Sequence, residues 1–136
     1  MKPFVRSIGA VIAGFVVASI VMMIIESING RFLYPDLGKA AQGVTDREVV
    51  RQLMATAPVG ALLVVIVGWI LGGLAGGWVA ARIASLRQAI VVGILLTLSG
   101  IANNLMIPPP LWFWVVTFLV LLPSAYLGGR LASSRA

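Results

Sequence analysis

Residues 59–81 read VGALLVVIVGWILGGLAGGWVAA, twenty-three positions without a charge. A hydrocarbon core about 30 Å thick is crossed by about 20 apolar residues in a helix. In lipid a lone segment satisfies its backbone only by internal hydrogen bonds, so this run predicts a spanning helix. It carries Gly68, Gly72, Gly76 and Ala80 at intervals of four, with Gly73, Gly77 and Ala81 beside them. Residues four apart share a helix face. Small side chains there let two backbones approach and gain dispersion contacts. The seven residues together predict one closely packed face.

Three further apolar runs flank this one, at about 4–28, 89–107 and 111–131. Among the four spans the only acid is Glu26, near the end of the first. A transmembrane barrel would show alternating segments of about ten residues, and continuous apolar runs argue against it. Only 10% of the 136 residues are charged, against about 25% in ordinary globular domains, too few to coat a soluble surface. The expectation is an all-α integral membrane protein with a single domain of four transmembrane helices, arranged as two helical hairpins. Lys2 and Arg6 give the N-terminus a basic start like that of a signal peptide. The apolar stretch is longer than a typical signal core, and Glu26-Ser27-Ile28-Asn29-Gly30-Arg31 offers no small-x-small cleavage pattern, so an uncleaved first span is expected.

Basic residues set the expected orientation. Lys2 and Arg6 lie at the start of the first span, Arg82 and Arg87 lie between the second and third, and Arg130 and Arg135 lie at the end of the fourth. The other side holds Arg31, Lys39, Arg47 and Arg51, offset by Asp36, Asp46 and Glu48. The positive-inside rule then places both termini in the cytoplasm. Trp112 and Trp114 suit an outer aromatic belt, and Trp78 and Tyr126 an inner one. The net charge of +6 needs no nucleic acid, because most of it falls where anionic headgroups lie. Short inner connections and a Met-Lys start point to a bacterial inner membrane.

Spans two and four end alike. Gly76-Gly77 and Arg82-Ile83-Ala84-Ser85-Leu86-Arg87 can be set beside Gly128-Gly129 and Arg130-Leu131-Ala132-Ser133-Ser134-Arg135. A parallel repeat of two hairpins is one reading; the other is that small residues and arginines are common at inner helix ends. Span one offers Ala10, Gly14 and Ala18 as a partner ridge, and span three places Gly93, Thr97, Gly100 and Asn104 on one stripe. That stripe is the expected inward face, a packing seam or else part of a substrate path. Pro123 lies near the middle of span four. It removes a backbone donor and crowds the Leu119 carbonyl, so a kink or local unwinding is expected there, with a hinge as the alternative role. Thr117 or Ser124 could satisfy the freed carbonyls.

The outer loop is expected over 29–58, broken in its first half by Gly30, Pro35, Gly38 and Gly43. Thr45-Asp46-Arg47-Glu48 reads as a capping box, in which the threonine side chain accepts from the Glu48 amide. A short amphipathic helix is predicted over 46–55, on the outer surface or over the bundle mouth. Pro58 suits the start of the next helix.

With no cysteine and no histidine, disulfides, thiolate metal sites and the commonest general base are excluded. The glycines at 72, 73, 76 and 77 lie inside an apolar helix, where a phosphate does not go. No enzyme activity, metal or cofactor is expected. Glu26 is costly in lipid and sits at a depth similar to Asn103 and Asn104. The three form a candidate polar or ion-coupling cluster, which Ser27, Asn29 or Arg31 could join. Two functions follow: a non-catalytic scaffold or accessory subunit, which is the first reading, or a small proton- or cation-coupled transporter using Glu26. A homo-oligomer or larger membrane complex would use the surplus small-residue ridges. A transporter should gather Glu26, Asn103, Asn104, Thr97 and Ser99 around one cavity, whereas a scaffold should leave them dispersed. Four helices, a membrane acid and a glycine-rich face resemble the small multidrug-resistance transporters in helix count and approximate size. In that family the essential glutamate lies well inside the first helix and the connections are short. Here Glu26 stands near the outer end of its span and a long loop follows, which departs from the family's pattern.

Overall fold

The computed structural model describes residues 2–134 and is helical almost throughout, with no strand among the described residues. Helix α1 spans Pro3–Ile28, and a π-helical turn, Asn29–Leu33, continues it. Two short helices follow, α2 over Pro35–Ala41 and α3 over Arg47–Thr56. The remaining three are α4 (Val59–Ile83), α5 (Leu86–Met106) and α6 (Leu111–Ser134). α1 with its π turn, α4, α5 and α6 are each long and apolar enough to cross a membrane. On α1 the large residues Ile8, Ile12, Val16, Ile20 and Met23 are exposed, as a lipid-facing stripe would be.

Contacts fix the ends of the bundle. At the end bearing residue 3, the Arg6 guanidinium donates to the Ile83 carbonyl. Gln88 there donates to the Ser7 hydroxyl at 3.0 Å. At the other end Asn29 reaches Ala61 and Arg47 reaches Leu105. Lys2, Arg6, Arg82, Arg87 and Arg130 belong to the first end; Arg135 lies outside the described residues.

α4 is the central helix, packed extensively on both α1 and α6. Its small residues divide between two neighbours rather than sharing one face. Gly68 lies against Ile25, Gly72 against Met22 and the Ala18 carbonyl, and Gly76 against the Gly14 carbonyl. Gly73 and Gly77 instead meet Ser124 and Ala125 of α6. The two ridges are adjacent in sequence because the i and i+1 rows of a helix are separated by about 100°. On α5, Gly93 packs on Leu122 and Gly100 on Leu121 and Thr117.

The α4–α6 seam has a local two-fold character. Gly77 meets the Ala125 backbone, Gly128 meets the Leu74 backbone, and Gly73 faces Ser124 between them. Residues 73, 74 and 77 are related to 124, 125 and 128 by a constant offset of 51. This register differs from the one that aligns the arginine motifs. The relation does not extend to the whole bundle, since α4 packs on α5 while α1 and α6 barely meet. Contacts between α1 and α5 are sparse, which leaves that seam the most open.

Three local expectations are corrected. α6 runs unbroken through Pro123 without local unwinding. Packing of Leu121, Leu122, Ser124 and Ala125 against α4 and α5 braces it from two sides. Thr117 does not serve the Leu119 carbonyl, because its hydroxyl donates to Phe113 at 2.8 Å. The chain from Asn29 is also not a broken loop. The helix continues to Leu33, and Pro35 then opens α2, where its missing N–H is harmless. Gly38 sits inside α2 because the Gly30 carbonyl would collide with any Cβ there. Finally, the side chain capping α3 is that of Asp46, whose carboxylate accepts from the Glu48 amide at 2.9 Å, and not that of Thr45. Glu48 pairs instead with Arg51 at 2.6 Å, and this hydrogen bond holds its carboxyl below the ordinary range.

Candidate functional site

The loop end of the bundle carries a half-open cavity of about 300 Å³. Glu26 and Asn29 border it from α1 and the π turn, and Asn103 and Asn104 from the last turn of α5. Leu37, Gly38 and Ala41 of α2 and Met54 of α3 also line it, together with Leu62, Val65 and Phe113 of α4 and α6. Below Phe113 the Trp69 ring packs edge-on, with centroids 5.2 Å apart.

The π turn positions Asn29. Its carbonyl accepts from the Tyr34 amide at 2.7 Å, a bond spanning five residues rather than four. A π segment widens the helix and shifts the side chains of that turn from their α positions. Asn29 becomes 8% exposed, with its side-chain nitrogen donating to the Ala61 carbonyl at 3.0 Å. Asn104 is 1% exposed and donates to the Thr117 hydroxyl at 2.9 Å. The carbonyl oxygens of both amides are buried without a hydrogen-bond partner. Native structures leave few such groups, and each calls for a reason.

Which amide atom is oxygen follows from the partners. The Ala61 carbonyl only accepts, so the Asn29 atom facing it is nitrogen. Thr117 has committed its proton to Phe113, so it too only accepts, and the Asn104 atom facing it is nitrogen. The hydrogen-bond network thus fixes both orphan oxygens.

Glu26 and Asn103 also border a second cavity of about 220 Å³, deeper along the α1–α5 seam, whose walls include Ser19, Trp69, Ser99 and Gly100. Phe15 and Ser99 of that wall border in turn a groove between α1 and α5 that reaches Val11 and Leu95. Glu26 and Asn103 are exposed along this seam. Glu26 lies about 35 Å along the helix from Pro3, at the 1.5 Å rise of an α-helix.

The structure therefore brings Glu26, Asn103 and Asn104 to one cavity and adds Asn29 to them. Ser27 and Arg31 line a separate surface depression. Thr97 borders neither cavity; its hydroxyl donates to the Gly93 carbonyl at 2.8 Å. Ser99 borders only the deeper cavity. Asn29 was legible in the sequence only as a neighbour of Glu26, since nothing local signals a π turn. No group of three or more acidic residues that could hold a metal ion occurs among the described residues.

Fold and site define an all-helical protein with four helices fit to span a membrane and a largely apolar cavity, bordered by Glu26 and three asparagines, at one end. No protein-family model matches the chain, and neither does any curated protein or solved structure.

Proposed function

We propose that this chain is a small non-catalytic membrane transporter that takes a cationic solute into the loop-end cavity, with Glu26 as the coupling carboxylate. The observation that carries the reading is that Glu26 and Asn103 border two successive cavities. A group shared by two compartments is placed to pass a proton or cation between them. Of the five polar residues expected around one cavity in a transporter, Glu26, Asn103 and Asn104 meet there while Thr97 and Ser99 do not, and two orphan amide oxygens are a costly feature in a purely structural core.

In this reading the two helical hairpins cross a bacterial inner membrane with both termini cytoplasmic, and the cavity opens toward the outer leaflet. Five basic side chains at the opposite end support that orientation. In this reading α2 and α3 roof the cavity, with Leu37, Gly38 and Ala41 of α2 and Met54 of α3 on its wall. Arg47 ties α3 to the Leu105 carbonyl at 2.8 Å, at the helix end where carbonyls lack intrahelical partners.

The test is a flux assay in proteoliposomes under an imposed pH gradient, comparing wild type with Glu26→Gln. Wild type should move protons or a lipophilic cation, and the variant should lose the coupled flux at least tenfold while keeping its helical signature. An equal rate in folded Glu26→Gln, or no flux of any cation in wild type, defeats the transport reading and returns the scaffold.

A further inference from the structure

The end of the bundle opposite the loops carries charge that the transport reading does not use. Lys2, Arg6, Arg82, Arg87 and Arg130 gather there, and all five are exposed. No acidic side chain offsets them. The chain has four acids, Glu26, Asp36, Asp46 and Glu48, and none belongs to that end. Two of the arginines lie over rings of their own helices: Arg82 stands 5.6 Å from the Trp78 centroid and Arg130 5.9 Å from that of Tyr126. Arg6 and Arg87 have no ring beneath them. The Ile83 carbonyl takes the Arg6 Nε–H, which leaves four of the five guanidinium donors. The Arg87 side chain makes no hydrogen bond or ion pair among the described residues.

The turns that bear these two arginines are tied together. Ser7 follows Arg6 and Gln88 follows Arg87, and the Gln88 side chain donates to the Ser7 hydroxyl at 3.0 Å. That bond also marks the foot of a seam. Val11 lies one turn past Ser7 and Leu95 two turns past Gln88, so each shares the face of its bonded residue. They open the apolar groove between α1 and α5, of about 450 Å³, which Phe15, Leu98 and Ser99 continue to Ala102. Counted from the Ser7–Gln88 bond, the groove runs from about 6 Å at Val11 to about 21 Å at Ala102, at 1.5 Å per residue. One leaflet is half of the hydrocarbon core, or about 15 Å. The groove is therefore as long as one acyl layer, and its foot lies beside two arginines that lack a counter-ion.

We propose that this seam binds one anionic glycerophospholipid, with its phosphate between Arg6 and Arg87 and one acyl chain in the α1–α5 groove. Two cations without an acid favour a net negative head over a zwitterion that brings its own ammonium. The planar guanidinium fork donates to two phosphate oxygens at once. A groove at the depth of lipid tails, between two helices fit to span a membrane, selects a lipid over a free phosphate. This binding goes beyond the transport reading and does not depend on it.

The test is native mass spectrometry of the full chain released from dodecylmaltoside micelles, which counts bound lipids one at a time. The ligands are dioleoylphosphatidylglycerol and dioleoylphosphatidylcholine, which share their tails. The first phosphatidylglycerol should bind at least tenfold tighter than the first phosphatidylcholine, and at least tenfold tighter than the second phosphatidylglycerol. Arg6→Gln with Arg87→Gln should bring the headgroup preference below threefold. Arg82→Gln with Arg130→Gln removes the same charge and should leave it above fivefold. Equal losses in the two pairs would show attraction spread over the whole end and overturn the site. Ser99→Phe fills the groove and should weaken the first phosphatidylglycerol at least fivefold, whereas Ile94→Phe, at an exposed position of α5 outside the groove, should not. An unchanged affinity in Ser99→Phe removes the tail from the groove and overturns the proposal. Equal affinity for the two lipids in wild type overturns it without recourse to any variant. A dimer that takes up no phosphatidylglycerol would put a second copy on the seam and overturn it as well. Glycerol 3-phosphate in excess should not displace the lipid; displacement would mark a site for free phosphate instead.

Discussion

Replacing Gly77 by alanine should weaken the bundle, although alanine is the better helix former. An ideal Cβ on Gly77 would stand 2.7 Å from the Ala125 carbonyl carbon and 2.8 Å from its Cα, with the carbonyl oxygen closer still. These atoms are backbone, so no rotamer change relieves the overlap and α4 and α6 must part. Carbon atoms rest at about 3.5–4.0 Å, so the displacement is about 1 Å, and a gap of that size forfeits up to about half of each lost contact's attraction. Overpacking of this kind costs about 1–3 kcal/mol, and backbone overlap puts Gly77 near the upper figure. Alanine also returns about 1 kcal/mol of helix propensity. Gly9→Ala supplies the control, because a Cβ there meets nothing within 4 Å. The propensity gain is common to both variants and cancels in their difference, which reads the overlap alone. Gly77→Ala should therefore be about 2–3 kcal/mol less stable than Gly9→Ala, near the top of the overpacking range. Reversible unfolding in mixed micelles of dodecyl sulfate and dodecylmaltoside, followed by helical circular dichroism, measures this. If Gly77→Ala is as stable as Gly9→Ala, the close approach of α4 and α6 is wrong.

Three further outcomes are expected. Thr117→Val strips the Asn104 amide of its acceptor and should cost about 1–3 kcal/mol; in the same unfolding assay, Asn104→Leu with Thr117→Val should cost less than the two changes added, and simple additivity would disprove the buried pair. The Arg51 hydrogen bond depresses the Glu48 carboxyl, so its support of α3 is full above the unfolded pKa and fades as pH falls through the lower folded value. Amide exchange of residues 47–56 should therefore quicken on acidification, after correction for intrinsic rates, and this pH dependence should shrink in Glu48→Gln, which keeps the Asp46 cap; an unchanged profile in that variant speaks against the pair. The chain has no cysteine, so a single Met54→Cys reports access to the cavity, and adding Arg47→Ala should speed its maleimide labelling several-fold by releasing α3 from Leu105. Identical labelling rates would show that Arg47 holds nothing closed.

The candidate site was partly legible. Glu26 stands out because a carboxylate in an apolar run is expensive, and Asn103 and Asn104 share its depth by counting residues from the membrane ends. Asn29 did not stand out, because its burial depends on a π turn that forms against Ala61, thirty-two residues away. The Asp46 cap was missed because Thr45 and Asp46 are both good caps by type, and only the backbone path into α3 chooses between them. The small residues of α4 were visible as a group, but their division between α1 and α6 required knowing which helices flank it.

The membrane class and the four spans belong to the sequence alone, because hydropathy sums locally and a lipid-exposed backbone has no alternative to the helix. The opening of the α1–α5 seam, the two-fold contact around Gly73 and Ser124, and the two orphan amide oxygens at the loop end belong to the tertiary structure. Each depends on which distant groups face one another, and an amide oxygen is left unpaired only when the fold gives its nitrogen a partner and its oxygen none.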